Sequence, residues 1–267
     1  MTLQQQNDLR AELYRKYLAA LSAAPFEGQI MPYEWSQLPN SSHPAWIAYH
    51  QMFQEYSSEI ANAVNQLTNY LHRLRAWDLV LPSLNDDETM EALVEFIEPV
   101  ATVALSLPYT IRFRFIFAIT HLCHQANQAL PGFQWVDDLP RDKDIGFKEA
   151  EGYGQPWSAY TRCRDGFEKI FKGDFETETL HFRHLYNHRF APRVLIGLSG
   201  FIVRKRDPAG SVQYVWGYTE PLDLKRIADA LVAQCNHCYA AFEAFQVLIR
   251  EHEAAISSLN VRMLAGS

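Results

Sequence analysis

The stretch FRHLYNHRF, residues 182–190, concentrates side chains that can act on a phosphate group. Arg183 precedes His188 by five positions, and His184 lies one helical turn before His188. Histidine gives and takes protons near neutral pH, whereas arginine braces phosphate oxygens and stays charged. These side chains suit cleavage of RNA in which the 2′-hydroxyl attacks the neighbouring phosphate. That reaction needs a base, an acid and positive charge, so we predict neither a metal nor a cofactor.

Positive charge is concentrated in and after this stretch. No acidic residue occurs between Glu178 and Asp207, although the whole chain has 31 Asp and Glu and a formal net charge of −7. The interval holds six of the 24 Lys and Arg, so a phosphate-bearing ligand would find a favourable local field there. The residues that we predict to bind the substrate are Tyr186, Asn187, Arg189, Arg193, Arg204, Lys205 and Arg206.

Among these residues, the aromatic ring of Tyr186 and the cations of the predicted hairpin could serve different purposes. The ring of Tyr186, like that of Phe190, offers a surface on which a base could stack. Arg204, Lys205 and Arg206 also admit a simpler interpretation. They lie in a predicted hairpin, and charged side chains commonly protect a sheet edge against pairing with another chain.

The motif resembles the signature of the HEPN superfamily, helical-bundle proteins that include many metal-independent endoribonucleases. That signature is an Arg, four to six residues, then a His, with Asn, Asp or His directly after the Arg. Arg183, His184 and His188 occupy these three places. The resemblance implies that the three residues are catalytic, that RNA or a nucleotide is bound, and that two chains form a homodimer around a shared cleft. The alternative is a non-catalytic HEPN-like bundle that binds a nucleotide, RNA or another protein.

The resemblance also suggests a toxin or defence effector that has an antitoxin or another regulatory protein as a partner. In the toxin half of HEPN–nucleotidyltransferase pairs, the signature His is followed by any residue and then by Tyr, which the antitoxin modifies. Here Arg189 and Phe190 follow His188, so we do not expect that mode of control. The match is firm over 182–190 and extends only as a pattern to the region 157–259.

Three other groups of residues have the types that bind metals. His181, His184 and His188 would share one stripe of a helix, but the neighbouring positive charges repel a cation. Cys235 and Cys238 have the CxxC spacing of a zinc or redox site.

Histidines elsewhere could complete such a site, since His121 and His124 could add two ligands. Both the CxxC and the histidine pair fall inside predicted helices, however, where Cys and His usually pack as half-buried residues. The acidic segment WVDD, residues 135–138, lies in a predicted loop, and the sequence identifies no partner for it. We therefore predict no metal site.

Helical periodicity dominates the chain and sets where these residues would lie. Asn85 and Ser42 are predicted helix caps, the latter with Pro44 in the first turn. Pro108 is expected to end one helix and begin the next. The predicted helices span 3–23, 42–77, 85–107, 108–130, 157–172, 174–190 and 222–259.

The one strong strand signal is a hairpin formed by GFIVRKR and SVQYVWGY around the turn Asp207–Gly210. Residues 131–156 have no sustained period and are predicted to form a long irregular excursion. The predicted fold is mostly α: a helical bundle with one small β-hairpin near its C-terminal end, in a single domain over 1–267.

Composition limits the class of protein. A chain of 267 residues that is 48% hydrophobic can bury a sizeable core. No apolar run approaches the roughly 18 residues of a membrane span, and the N-terminus lacks a signal-peptide core, so we expect a cytoplasmic protein without membrane association. Four cysteines in a chain of this length do not form a disulfide framework.

Overall fold

The computed structural model describes residues 2–36, 44–132 and 134–265. Within them the chain is mostly helical, with one two-stranded antiparallel hairpin near the C-terminal end, which confirms the predicted fold class. The helices are α1 (Leu3–Ala23), α2 (Pro44–Val80), α3 (Asp86–Ala92), α4 (Glu98–Ala126), α5 (Phe147–Gly154), α6 (Tyr160–Lys169), α7 (Asp174–Glu178), α8 (Phe182–His188) and α9 (Leu224–Ala265). The strands are β1 (Ile202–Arg206) and β2 (Val212–Trp216). Ser42, the predicted cap of the second helix, lies outside the described residues.

The cap predicted at Asn85 is confirmed. Its side-chain oxygen accepts a hydrogen bond from the Glu88 N–H at 3.0 Å, and the Glu88 carboxylate accepts one from the Asn85 N–H at 2.9 Å. This reciprocal pair satisfies two backbone donors that the first turn of α3 would otherwise leave unpaired. The acidic run after Asn85 therefore begins a helix, as its position near the positive end of the helix dipole favours.

Pro108 lies inside α4, so the predicted helix boundary at this residue is wrong. Proline lacks the N–H that would donate one turn back, and in a helix interior it costs about 3 kcal/mol. Leu105 and Ile111, on either side of it, are almost fully buried, and each such burial stabilises by about 2 kcal/mol. Packing along α4 thus outweighs the local preference. A π-helical turn, Leu93–Ile97, joins α3 to α4.

The predicted excursion at 131–156 is partly helical, because α5 occupies its final part. The Glu149 carboxylate accepts a hydrogen bond from the Gly146 N–H at 2.9 Å at the start of this helix. Ala150 is fully buried, so one side of α5 packs against neighbouring residues. Eight residues that include two glycines give too weak a period to be recognised in the sequence.

The described residues group into two compact units, each built from three segments. The first consists of Met1–Gly28, Leu67–Leu107 and Lys172–Ala233. Its core contains a column of aromatic rings: Tyr17 stacks on Trp77 with the ring centroids 4.9 Å apart, and Trp77 stacks on Phe96 at 5.4 Å. α8 and the hairpin both belong to this unit. The assignment of 1–267 to a single domain stays a prediction.

The second unit consists of Gln29–Gln66, Pro108–Phe171 and Gln234–Ser267. Its core encloses the ring of His252, which is fully buried. The Tyr49 hydroxyl forms a hydrogen bond with Nδ1 of His252 at 2.8 Å, and Cys123 Sγ lies 3.6 Å from Nε2. Burial lowers the pKa of His252 to about 3, because the charged ring would lose its hydration there. The imidazole is therefore neutral near pH 7.

The hairpin turn forms at the tetrapeptide Asp207–Gly210, as predicted. The Gly210 N–H donates to the Asp207 carbonyl oxygen at 3.0 Å, and the Ser211 N–H donates to the Asp207 carboxylate at 2.8 Å. Gly210 has a φ of 89°, which favours glycine at this position.

The base of the hairpin is fixed to the first unit. Two backbone hydrogen bonds pair Ser199 with Thr219, at 3.2 and 2.7 Å. Below them Val194 and Leu222 form a parallel bridge, and both side chains are buried. The strands beyond this anchor are exposed on both faces. Within the described residues, every helix is too short or too polar to cross a lipid bilayer.

Candidate functional site

The predicted helix 174–190 is interrupted just before the motif. Residues 179–181 separate α7 from α8, and Leu180 and His181 have φ of 53° and 54°. The left-handed conformation costs a non-glycine residue about 1 kcal/mol or more. At the end of α7 the Thr179 hydroxyl donates to the Phe175 carbonyl oxygen, one turn earlier, at 2.7 Å. The predicted continuous helix over 174–190 is wrong, because the left-handed backbone at Leu180 and His181 cannot continue a right-handed helix.

This break separates the three histidines that the sequence placed on one stripe. His181 is the N-cap of α8 in a left-handed conformation and does not continue the helical face. His184 and His188 do share a face of α8, and their ring centroids are 5.2 Å apart. Both are exposed to solvent. The structure thus brings two of the three histidines together.

α8 presents the remaining motif residues from a single short helix. Phe182 is buried and anchors the helix, and Tyr186 stacks on it with the ring centroids 5.7 Å apart. One side of the Tyr186 ring is therefore occupied, although the side chain is still 55% exposed. Arg183 is half-buried and Asn187 is exposed, both within α8.

The predicted basic residues occupy two further parts of the first unit. Arg189 and Arg193 are exposed in the segment that follows α8. Arg204, Lys205 and Arg206 are exposed on β1. The hairpin is a separate element from the motif helix, so the basic segment is presented in more than one place.

Large aromatic side chains are exposed near the motif and on the hairpin, and the sequence analysis singled out only the first of these, Phe190. Trp216 is 86% exposed and Tyr214 is 71% exposed, both on β2. Phe190, next to α8, is 91% exposed. The sequence contains a signal for the first two, since Tyr214 and Trp216 alternate with Val215 in the strand and must share a face. It contains no signal that this face is left uncovered.

The CxxC pair lies inside α9, where both side chains are buried. Burial raises the pKa of the Cys238 thiol well above its usual range, which disfavours the thiolate that zinc would need. His121, whose pKa is lowered by burial, and His124 lie on α4. Among the described residues, no group of three or more His, Cys, Asp or Glu side chains is arranged to hold a metal ion.

The acidic segment WVDD packs against His124, a partner that the sequence did not reveal. Trp135 Nε1 donates to the His124 carbonyl oxygen at 2.8 Å. Oxygens of Asp137 and Asp138 lie 3.7 and 3.8 Å from Nε2 of the buried His124 ring. The Tyr153 hydroxyl donates to the Asp138 carboxylate at 2.9 Å. Burial, together with this hydrogen bond, raises the pKa of Tyr153 to about 12. These contacts hold the loop on the end of α4 and give it a structural role.

Comparison with known proteins adds no assignment. No protein-family model, curated protein or solved structure matches this chain. The chemistry of the exposed residues in the first unit is therefore the basis for a function.

Proposed function

We propose that this protein is a HEPN-like, metal-independent endoribonuclease that cleaves RNA through attack of the 2′-hydroxyl. The observation that carries the proposal is the pair of exposed imidazoles, His184 and His188, 5.2 Å apart on the helix that also contains Arg183. An imidazole of this pair takes the proton of the 2′-hydroxyl, and an imidazole on the opposite side of the phosphate gives a proton to the leaving 5′-oxygen. The Arg183 guanidinium offsets the negative charge that develops on the phosphorus oxygens.

The local charge supports an anionic substrate. Arg189 and Arg193 lie within five residues after His188, and no Asp or Glu occurs between Glu178 and Asp207. A polyanion therefore approaches a positive region on a chain of net charge −7. The proposal includes a role as a toxin or defence effector, with an antitoxin or another regulatory protein as partner. This part rests only on the resemblance to the HEPN signature.

A homodimer belongs to the same proposal. One short helix presents both histidines to the same side of a bound phosphate, whereas acid–base cleavage works best with groups on opposite sides. A two-fold axis beside α8 would bring His188 and Arg183 of two chains into one basic groove. The like charges of the two copies would repel one another unless an anion lies between them, so RNA, phosphate or sulfate should favour the dimer.

The proposal is tested by incubating the purified chain with end-labelled RNA in the presence of EDTA. We expect cleavage that leaves 2′,3′-cyclic phosphate and 5′-hydroxyl ends, because the 2′-oxygen is the nucleophile. His188→Ala should slow cleavage by about 10²–10⁴-fold, and Arg183→Ala should also abolish most of the activity. His181→Ala is the matched control: it removes an exposed histidine from the same segment but outside α8, and it should retain activity.

Two results would count against this function. Equal cleavage by the wild-type and His188→Ala proteins would identify a contaminating nuclease. Loss of activity in EDTA that Mg²⁺ restores would replace acid–base chemistry with metal-dependent chemistry.

Binding without turnover is the second candidate, and the exposed hairpin favours it. Tyr214 and Trp216 offer a contact surface that requires no catalytic geometry. In that case the wild-type protein binds RNA and leaves it intact, and Arg183→Ala weakens the affinity with no cleavage to lose.

A further inference from the structure

The hairpin presents one face that combines aromatic rings with guanidinium groups. Residues directly opposite one another in an antiparallel pair point to the same side of the sheet. The register pairs Ile202 with Trp216, Arg204 with Tyr214, and Arg206 with Val212. Arg204, Arg206, Tyr214 and Trp216 therefore lie on one side, which we call the aromatic–arginine face.

The opposite face of the hairpin has a different composition. Lys205 pairs with Gln213, and Val203 pairs with Val215. Because neighbours along a strand alternate, these four side chains point away from the aromatic–arginine face. Sequence alone grouped Lys205 with its two arginine neighbours, whereas the register separates them.

The aromatic–arginine face is open and its charges are uncompensated. Trp216 and Tyr214 are largely exposed, although a side chain of either type normally buries much of its area. Within the described chain, no hydrogen bond or ion pair engages the side chain of Arg204 or Arg206. An exposed apolar patch with unpaired charge beside it is typical of an interaction surface.

We infer that the aromatic–arginine face binds single-stranded nucleic acid. Bases stack on the rings of Tyr214 and Trp216, and phosphates pair with Arg204 and Arg206. Residues two apart in a strand are about 6.8 Å apart, a spacing comparable with that of successive phosphates in an extended strand. The identification of the nucleic acid as RNA rests on the proposed function. The stacking of bases on the rings and the pairing of phosphates with the arginines do not depend on that function.

Two other partners fit this face less well. A membrane-inserting hairpin needs an apolar tip, but here the turn carries Asp207, whose carboxylate an anionic lipid surface would repel. A protein strand added along the edge of β1 would meet three consecutive cations, Arg204, Lys205 and Arg206, which protect that edge.

The inference is tested by fluorescence anisotropy with a labelled oligouridylate of about twelve nucleotides. All proteins carry His188→Ala so that the probe stays intact. We expect Tyr214→Ala and Trp216→Ala each to weaken binding by roughly tenfold, because one stacking platform is lost. Arg204→Ala should weaken binding and lower the slope of log affinity against log salt by about one.

Lys205→Ala and Gln213→Ala are the matched controls on the opposite face. Lys205→Ala removes the same charge from the same strand, and its effect should be several-fold smaller than that of Arg204→Ala. Equal losses for the two charge variants, or unchanged affinity in the two ring variants, would overturn the inference. So would association of the protein with anionic phosphatidylserine vesicles that Trp216→Ala abolishes while oligonucleotide binding stays intact.

The two proposals fail separately. Intact face-dependent binding, together with no cleavage by the protein that retains His188, would remove the nuclease and keep the face. Cleavage that depends on His188 but is indifferent to Tyr214 and Trp216 would keep the nuclease and remove the face. All these substitutions are at exposed positions, so thermal unfolding should be unchanged in each variant.

Discussion

His252 and His188 carry the same side chain in opposite surroundings. The imidazole of His188 is exposed beside that of His184, where it can exchange protons with a ligand or with water. The imidazole of His252 is enclosed by Tyr49 and Cys123, and burial lowers its pKa to about 3. At the scale of single residues, burial decides which histidine can take part in chemistry and which is part of the core.

The buried ring predicts an acid-sensitive core. The pKa of His252 is lowered from 6.5 to about 3 on folding, so the unfolded chain binds a proton that the folded chain does not. The stabilisation is fully present above the unfolded value of about 6.5 and is lost as pH falls towards the folded value. Between about pH 7.5 and about pH 5 this one group should lower the free energy of unfolding by about 2 kcal/mol.

Urea unfolding of the wild-type and His252→Gln proteins at both pH values measures this contribution. The glutamine amide can still form a hydrogen bond with the Tyr49 hydroxyl but does not titrate, so the variant should be less stable near neutral pH and less sensitive to acid. If both proteins lose the same stability between the two pH values, His252 is not the group responsible.

At the scale of elements, the break between α7 and α8 defines the motif helix. His181 is exposed and has φ 54° and ψ 32°, a conformation that glycine adopts without steric cost. We therefore expect His181→Gly to stabilise the protein by up to about 1 kcal/mol. In the continuous helix that the sequence predicted, the same change would destabilise by a few tenths of a kcal/mol.

The sign of the change in melting temperature separates these two structures. His184→Gly is the control, because it places glycine in the interior of α8 and should destabilise in either case. A lower melting temperature for both glycine variants would argue for an uninterrupted helix over 174–190.

At the scale of the whole molecule, the proposed dimer brings together two positively charged segments of a chain that is acidic overall. The acid-free interval between Glu178 and Asp207 lies on a chain of net charge −7, and the proposed dimer places two such intervals beside one axis. Asn187 is exposed on α8, and the four native cysteines are buried, so a thiol introduced at Asn187 would be the accessible one.

Asn187→Cys should therefore form a disulfide-linked dimer on mild oxidation at micromolar concentration, more readily when phosphate is present. Asn7→Cys is the matched control, because it places an equally exposed thiol on a different helix, α1. Non-reducing electrophoresis reports the cross-link, and sedimentation reports the mass without it. A monomer in sedimentation, or equal cross-linking of both variants, would contradict the dimer.

Local signals in the sequence were sufficient for much of this protein. The caps and periodicity predicted most of the helices, including the start at Asn85, because hydrogen bonds within a few residues determine them. The hairpin turn at Asp207–Gly210 was predictable for the same reason. The candidate catalytic set of Arg183, His184 and His188 was likewise chosen from spacing and residue chemistry, and its role remains a proposal.

Tertiary structure decided the features that depend on burial. α4 continues through Pro108, although proline favours a helix boundary. The helix predicted over 174–190 is interrupted at Leu180 and His181, although neither residue type usually ends a helix. The break took His181 off the face of His184 and His188. The exposure of side chains also depends on distant packing: Trp216 is of a type that is usually largely buried, yet among the described residues no element covers it. Residue identities determine which contacts a side chain can make, but distant packing determines which of them it makes.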